Sequence, residues 1–129
     1  SAPIWRKWSA IAAIAATLEQ KCWVMTSSAL YPNLNIFLVG EAGSGKTRAI
    51  TRVADILREL PEPHIAPTSV TMASLVDHLA DAKRTIINMP EAAIEYNSLL
   101  ILADELSAFM HEYGNELIAG LTTFYDVVP

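Results

Sequence analysis

One stretch of eight residues constrains the fold of this chain more than any other feature. Residues 40–47 read GEAGSGKT and match the pattern G-x-x-x-x-G-K-[ST] at every position. The apolar run Leu34–Val39 leads directly into this stretch, and an amphipathic pattern extends from Lys46 to Leu60. A glycine-rich turn between a buried strand and a helix is the context that the pattern requires. The sequence therefore predicts a strand, a loop and a helix in direct succession.

Each residue type in this stretch has a physical role to fill. Glycines let the backbone turn tightly, so that successive N–H groups point inward and form an anion-binding nest at a helix N-terminus. We expect Lys46 to reach the β- and γ-phosphates of a nucleotide and the Thr47 hydroxyl to bind Mg²⁺. The alternative is a glycine turn that binds nothing. The predicted nucleotide-binding residues are Gly40, Glu41, Ala42, Gly43, Ser44, Gly45, Lys46, Thr47 and Arg48.

A second apolar run, Ser98–Ala103, ends in the adjacent carboxylates Asp104 and Glu105. Because parallel strands open their carboxyl ends onto one crevice, we expect Asp104 to lie beside the glycine-rich loop. Asp104 is then the predicted Mg²⁺ ligand together with Thr47, and Glu105 the general base that activates water, with Lys46 as the other catalytic residue. The alternative is an ordinary polar strand end whose carboxylates favour the start of a helix.

The remaining segments alternate between helical and extended patterns. This alternation predicts an α/β fold with a parallel sheet covered by helices in three layers, incomplete at its C-terminus. Residues 1–32 are predicted to form a helix and a short strand that pack on a core formed by residues 33–129. The region from Thr85 to Asn97 stays unassigned, because Pro90 disfavours a long regular element. The other predicted elements are a helix from Pro3 to near Glu19, a strand at Lys21–Ser27, an extended stretch at His64–Val70, a helix capped by Thr71 and a helix after Gly114.

Composition narrows the class of partner. A chain of 129 residues that is 52% hydrophobic is expected to be globular, and its net charge of −5 argues against a broad electrostatic grip on nucleic acid. Cys22 has no partner for an intrachain disulfide, which is typical of a reducing compartment. The apolar run at residues 11–16 is far shorter than the roughly 20 residues that a membrane span needs, so no membrane partner is expected. Trp5, Trp8 and Trp23 are interpreted as core packing rather than as stacking platforms for bases.

The two motifs together resemble a known group of proteins. GEAGSGKT and LLILADE are similar to the Walker A and Walker B motifs of additional-strand P-loop ATPases, which include AAA+ proteins and RecA-like motors. More narrowly, Trp5 to Glu105 resembles the ATPase part of phage and prophage primase-associated, superfamily 3-like helicases, through LYPNLNIFLVG, SVTMASLVDHLAD and ADELSAFM. The resemblance implies ATP and Mg²⁺ as cofactors, a homo-oligomeric ring that translocates on DNA through regions outside this chain, and a cytoplasmic location, in the host if a phage encodes it.

Two parts that the resemblance implies are not found in the sequence. No later strand ends in a polar sensor residue, and no arginine follows Asp104 to act as an arginine finger. Arg48, Arg52 and Arg58 are interpreted as the solvated face of a helix. We therefore expect a truncated piece with weak or no ATPase activity by itself. Two other functions stay open: a nucleotide-dependent assembly or switch module, and a small-molecule kinase, although the arginine-rich lid of a kinase is not found.

Overall fold

The computed structural model describes residues 2–66, 72–86, 93–105 and 114–125. Within these ranges there are four helices and two antiparallel pairs of short strands. The helices are α1 (Pro3–Leu18), α2 (Lys46–Arg58), α3 (Met72–Asp81) and α4 (Gly114–Tyr125). The strands are β1 (Val24–Met25), β2 (Ala29–Leu30), β3 (Lys83–Ile86) and β4 (Ile94–Asn97).

The helices lie where apolar periodicity and helix-end signals predict them. Pro3 begins α1, because its fixed φ suits the first helical turn, and α1 ends where Glu19 takes the left-handed φ of 51°. Helix α2 follows Gly45 directly and ends before Pro61, which cannot continue a helix. In the described ranges no helix combines the length and the apolar character needed to cross a bilayer.

The buried faces of the first two helices agree only in part with the sequence pattern. The amphipathic pattern predicted from Lys46 to Leu60 is confirmed at Ala49, Val53 and Leu57, which are all buried. On α1 the buried residue is Ser9, whereas Trp8, predicted to be in the core, is 44% exposed. Helix α1 packs against α2. Since α2 begins at the glycine-rich stretch, this packing brings α1 close to the loop.

A small apolar core lies around Leu75 of α3, which is only 2% exposed. Leu99, Ile101 and Ala103 from the segment after β4 pack against it, as does Leu121 of α4. The helix predicted after Thr71 thus contributes Leu75 to the core. The second apolar run of the sequence contributes to this core through side-chain packing.

The predicted three-layer fold with a parallel sheet is wrong. The described residues form two antiparallel pairs, β1 with β2 and β3 with β4, and no parallel sheet. Leu34–Val39, expected to be a strand buried on both faces, forms no strand, and Phe37 and Val39 are 68% and 84% exposed. An apolar run becomes a buried strand only where other strands pair with it and helices cover both of its faces. These exposures show that Phe37 and Val39 are not covered in this way.

One isolated parallel bridge joins Ile65 and Leu100. The Ala66 N–H donates to the Leu100 carbonyl at 2.8 Å, and the Leu100 N–H donates to the His64 carbonyl at 2.9 Å. The strand predicted at 98–103 is therefore limited to a single bridge. The extended stretch predicted from His64 pairs at Ile65, while its residues 67–70 and the predicted helix cap Thr71 lie outside the described ranges.

The hairpin of β3 and β4 falls largely in the region Thr85–Asn97 that the sequence pattern left unassigned, and β3 begins two residues before it. Lys83 pairs with Asn97 and Ile86 with Ile94, and the connection between the strands, including Pro90, lies outside the described residues. The Asn97 side-chain amide donates to the Leu79 carbonyl at 2.9 Å, near the end of α3. Because the last carbonyls of a helix have no intrahelical partner, this bond both caps α3 and attaches the hairpin to it.

A buried carboxylate connects the end of α1 to the same hairpin. The Glu19 side chain is 6% exposed, and its oxygens lie 3.4 Å from Arg84 Nε and 3.4 Å from Lys21 Nζ. The Tyr96 hydroxyl donates to Glu19 Oε1 at 3.4 Å. Burial raises the pKa of the Tyr96 phenol, and the negative charge of Glu19 and this hydrogen bond raise it further, while Arg84 opposes them. These polar contacts fix α1 against the hairpin.

Candidate functional site

The glycine-rich stretch forms a tight loop whose shape depends on two of its glycines. Gly43 and Gly45 have φ angles of 78° and 95°, in the left-handed region that residues with a side chain rarely adopt. The Ser44 N–H donates to the Glu41 carbonyl at 3.3 Å and closes the turn before the helix. The glycines at these two positions therefore have the conformational role that the sequence pattern predicts.

Helix α2 presents its N-terminal amide groups at the end of this loop. The Ala49 N–H donates to the Gly45 carbonyl at 3.2 Å, which makes Gly45 the N-cap of α2. The N–H groups of Lys46, Thr47 and Arg48 precede this bond along the chain. The first N–H groups of a helix have no intrahelical acceptor and carry the positive end of the helix dipole. Such a helix start attracts an anion.

The Lys46 side chain folds back across the loop. Its ammonium donates to the Gly40 carbonyl at 2.6 Å and to the Glu41 carbonyl at 2.7 Å, and it lies 3.4 Å from Ser44 Oγ. An ammonium has three donors, and this geometry directs all of them to the loop. The structure thus brings together Gly40, Glu41, Ser44 and Lys46 of the predicted nucleotide-binding set.

Trp5 of α1 lies against the beginning of the loop. A Cβ atom placed on Gly40 would be 2.8 Å from Trp5 Cζ2 and 3.1 Å from Cη2, so the ring is in close contact with the Gly40 backbone. Lys46 Nζ lies over the same ring, 6.0 Å from its centroid. This contact was not predicted from the sequence, because no local pattern indicates which tryptophan lies beside a loop 35 positions further along the chain.

Three further residues of the predicted loop site lie at the surface. Ala42, Thr47 and Arg48 are exposed in the structure. Thr47 and Arg48 line an open groove of about 640 Å³ that runs along the solvent side of α2 toward Asp55. The hydroxyl predicted to bind Mg²⁺ is therefore accessible from solvent. Arg52 and Arg58 are also exposed, which confirms that they lie on the solvated face of this helix.

The acidic pair stands apart from these contacts. Asp104 and Glu105 are exposed, and within the described residues neither carboxylate forms a hydrogen bond or an ion pair. The Lys46 ammonium bonds to loop oxygens rather than to either carboxylate. No cluster of three or more His, Cys, Asp or Glu side chains occurs in the described ranges. The roles of Asp104 with Mg²⁺ and of Glu105 with water stay predictions.

A separate cavity of about 940 Å³ lies between the end of α1, residues 31–36 and residues 97–102. Its lining includes His64, whose buried Nδ1 has no hydrogen-bond partner among the described residues. None of the loop residues 40–47, all of which the structure describes, lines this cavity. The cavity is therefore not part of the loop site.

Comparison with known proteins identifies no relative. No protein-family model, no curated protein and no solved structure matches this chain. The chemistry of the loop is therefore inferred from its residues and their geometry.

Proposed function

We propose that this chain binds the nucleoside triphosphate ATP together with Mg²⁺ through residues 40–47. The observation that supports this most strongly is the Lys46 ammonium, held 2.6 Å from the Gly40 carbonyl inside a loop that ends at a helix N-terminus. A cation beside a helix start, in a loop whose glycines bring backbone groups close to a ligand, suits a polyphosphate chain. None of these groups suits an apolar or cationic ligand.

Phosphate binding requires the ammonium to change partners. Lys46 donates to carbonyl oxygens that carry no net charge, whereas a triphosphate would add the attraction between opposite charges to the hydrogen bond. A triphosphate would therefore attract the ammonium away from Gly40 and Glu41 by a rotation of the flexible lysine side chain. The exposed Thr47 hydroxyl is the proposed protein ligand of Mg²⁺, which would neutralise charge on the β- and γ-phosphates.

We further propose that bound ATP is hydrolysed, with Asp104 holding Mg²⁺ through water and Glu105 activating the attacking water. Both carboxylates are exposed and free of ion pairs with other described residues, so no such bond must break before they act. Hydrolysis also requires them to approach the loop. The resemblance of GEAGSGKT and LLILADE to helicase motifs supports a role in a DNA-translocating replication motor of a phage or mobile element.

Measurement of ATP affinity tests the binding site. Isothermal titration with ATP and Mg²⁺ compares the wild type, Lys46→Ala and a control, Lys83→Ala, which removes an exposed lysine of β3. Loss of a charge that pairs with phosphate costs about 2 kcal/mol or more, so we expect affinity to fall at least about 30-fold in Lys46→Ala and to be unchanged in the control. A wild type that does not bind ATP, or a Lys46→Ala variant that binds equally well, would contradict the proposal.

Turnover assays distinguish the functions that share this site. Release of phosphate that rises when single-stranded DNA is added would support the replication motor. Tight ATP binding without phosphate release would instead support a nucleotide-dependent assembly or switch module. Transfer of the γ-phosphate to a small-molecule acceptor would support a kinase.

A further inference from the structure

Trp5 makes two different contacts with the glycine-rich loop. Its six-membered ring edge packs on Gly40, where a Cβ would lie 2.8 Å from Cζ2, and its face lies 6.0 Å from Lys46 Nζ. The Gly40 carbonyl in turn accepts the 2.6 Å hydrogen bond from the same ammonium. Trp5, Gly40 and Lys46 therefore contact one another, although they lie on α1, in the loop and on α2.

Trp5 and Lys46 form a cation–π contact, which is attractive. An ammonium within about 6 Å of the centroid of an indole ring is drawn to the negative face of the ring. The ring also limits the positions open to the ammonium on one side, while the carbonyls of Gly40 and Glu41 hold it on the other. Lys46 is thus confined near the loop before any ligand is present. Such confinement lowers the entropy cost of binding a ligand.

The indole N–H of Trp5 gives a second indication that this residue is more than ordinary core packing. Nε1 is buried and has no hydrogen-bond partner among the described residues. The large majority of buried polar side-chain atoms do have a partner, so an unsatisfied one needs an explanation. The position of the ring against Gly40 and Lys46, with the N–H left unpaired among the described residues, supplies one.

We propose that Trp5 is a positioning residue of the nucleotide site, which braces Gly40 and holds the Lys46 ammonium over its ring so that the loop is prepared for the triphosphate. This inference rests on the proposed ATP binding at residues 40–47. When ATP binds, the ammonium turns from the loop carbonyls to phosphate oxygens but stays over the ring, so the cation–π contact persists in the complex, and the charge of the phosphates changes the electrostatic environment of the indole. The start of α1 is thereby coupled to the state of the site.

Tryptophan fluorescence tests the contact directly. The chain has three tryptophans, so the variant Trp8→Phe/Trp23→Phe leaves Trp5 as the one indole emitter. We expect ATP with Mg²⁺ to change the Trp5 emission along a saturating curve, and Lys46→Met in this background to change the emission without any nucleotide. Lys83→Met is the control and leaves the emission unchanged. An emission that is insensitive both to saturating ATP and to Lys46→Met would overturn the inference.

Affinity measurements test the consequence for binding. We expect Trp5→Leu to weaken ATP binding about 2- to 30-fold, the range that corresponds to a cation–π contact, and Trp5→Phe to restore part of the loss because it keeps an aromatic face. Trp8→Leu is the control, three residues further along α1 and 44% exposed. If the role of Trp5 were purely structural, its substitution would lower the melting temperature but would not produce this order of ATP affinities.

The outcomes separate the two proposals. ATP binding by the wild type with equal affinity in Trp5→Leu would overturn the role of Trp5 alone. Absence of ATP binding by the wild type would overturn both proposals. If Trp5→Leu does not fold, the fluorescence of the Trp8→Phe/Trp23→Phe variant and the affinity of Trp5→Phe decide the matter.

Discussion

Lys46 Nζ donates a hydrogen bond of 2.6 Å to the carbonyl oxygen of Gly40, which joins the seventh residue of the GEAGSGKT stretch to the first. The other side of Gly40 faces Trp5, whose ring leaves no room for a Cβ. Gly40 therefore serves a different purpose from Gly43 and Gly45, whose φ angles are positive. At Gly40 the requirement is space, and at the other two it is backbone conformation.

We predict that Gly40→Ala destabilises the protein through a clash with Trp5. The new methyl group would lie 2.8 Å from Trp5 Cζ2, and forcing extra atoms into a packed contact costs about 1–3 kcal/mol. Urea unfolding measures the cost in the wild-type and Trp5→Leu backgrounds. Because the shorter leucine relieves the clash, the cost should be smaller in the second background. Equal costs in both backgrounds would show that the clash is not the cause.

Gly43→Ala is the matched control for that experiment. A Cβ at Gly43 meets no atom within 4 Å, so its cost comes from the φ of 78°. A residue with a side chain pays about 1–2 kcal/mol in the left-handed region. We expect this loss to be the same in the wild-type and Trp5→Leu backgrounds.

We predict that Glu105→Gln keeps ATP affinity but loses hydrolysis. An amide has nearly the same shape as the carboxylate but cannot accept the proton of the attacking water, and general-base catalysis contributes about 10²- to 10⁴-fold. Phosphate release and ATP affinity are measured for the wild type and for the variant. Glu95→Gln, an exposed glutamate of β4, is the control. Hydrolysis at the wild-type rate in Glu105→Gln would rule out the general-base role.

We predict that Tyr96 makes stability depend on pH in the alkaline range. Burial, the charge of Glu19 and its hydrogen bond to the phenol raise the pKa of Tyr96 above its ordinary value of 10.0 in the folded protein. Below pH 10.0 the phenol is protonated in both the folded and the unfolded state, and its contribution to the free energy of unfolding is fully present. This contribution is lost as the pH rises through the higher pKa of the folded state. The folded state binds more protons in this window, so stability falls with rising pH.

Comparison with Tyr96→Phe isolates this effect from other alkaline titrations. Free energies of unfolding in urea are measured for both proteins from neutral pH to about 11, beyond the ordinary pKa of tyrosine. The difference in free energy of unfolding between the wild type and Tyr96→Phe should be constant at lower pH. Above about pH 10 the wild type should lose stability relative to Tyr96→Phe. A difference that stays constant over the whole range would contradict the raised pKa.

We predict that the small core depends on Leu75. Leu75→Ala removes a side chain that is 2% exposed and packed against Leu99 and Ile101, and truncation of a buried leucine costs about 2–5 kcal/mol. Val76→Ala changes the next residue, which is 43% exposed, and should alter stability by about 0.5 kcal/mol or less. Chemical unfolding of both variants checks the prediction. Similar losses would mean that Leu75 is not the centre of the core.

Part of this molecule could be predicted from local sequence. Helices α1 and α2 follow from apolar periodicity together with Pro3 and Pro61, because a helix makes its hydrogen bonds between residues four apart. The left-handed glycines of the loop follow from the GEAGSGKT pattern, since nothing outside the loop is needed to require them. These features depend on neighbours along the chain, which the sequence displays directly.

Other features depended on partners distant in sequence. The run Leu34–Val39 has the composition of a buried strand, yet pairing decides whether such a run is a strand, and this one is exposed at Phe37 and Val39. The antiparallel pairing of β3 with β4 places two short strands on either side of Pro90, and no local signal indicates that these two segments pair with each other. The chain alternates between helical and extended patterns, but that order does not specify which segments pair.

The sequence by itself determined the helices, the glycine loop and the chemistry that its lysine and threonine offer. Only the tertiary structure decided that Lys46 forms a hydrogen bond to Gly40, that Trp5 contacts both, and that Glu19 at the end of α1 pairs with Arg84 of β3. The reason is physical. Local conformation is set by each residue and its near neighbours, whereas a contact such as Trp5 with Gly40 exists only after α1 and α2 have packed together.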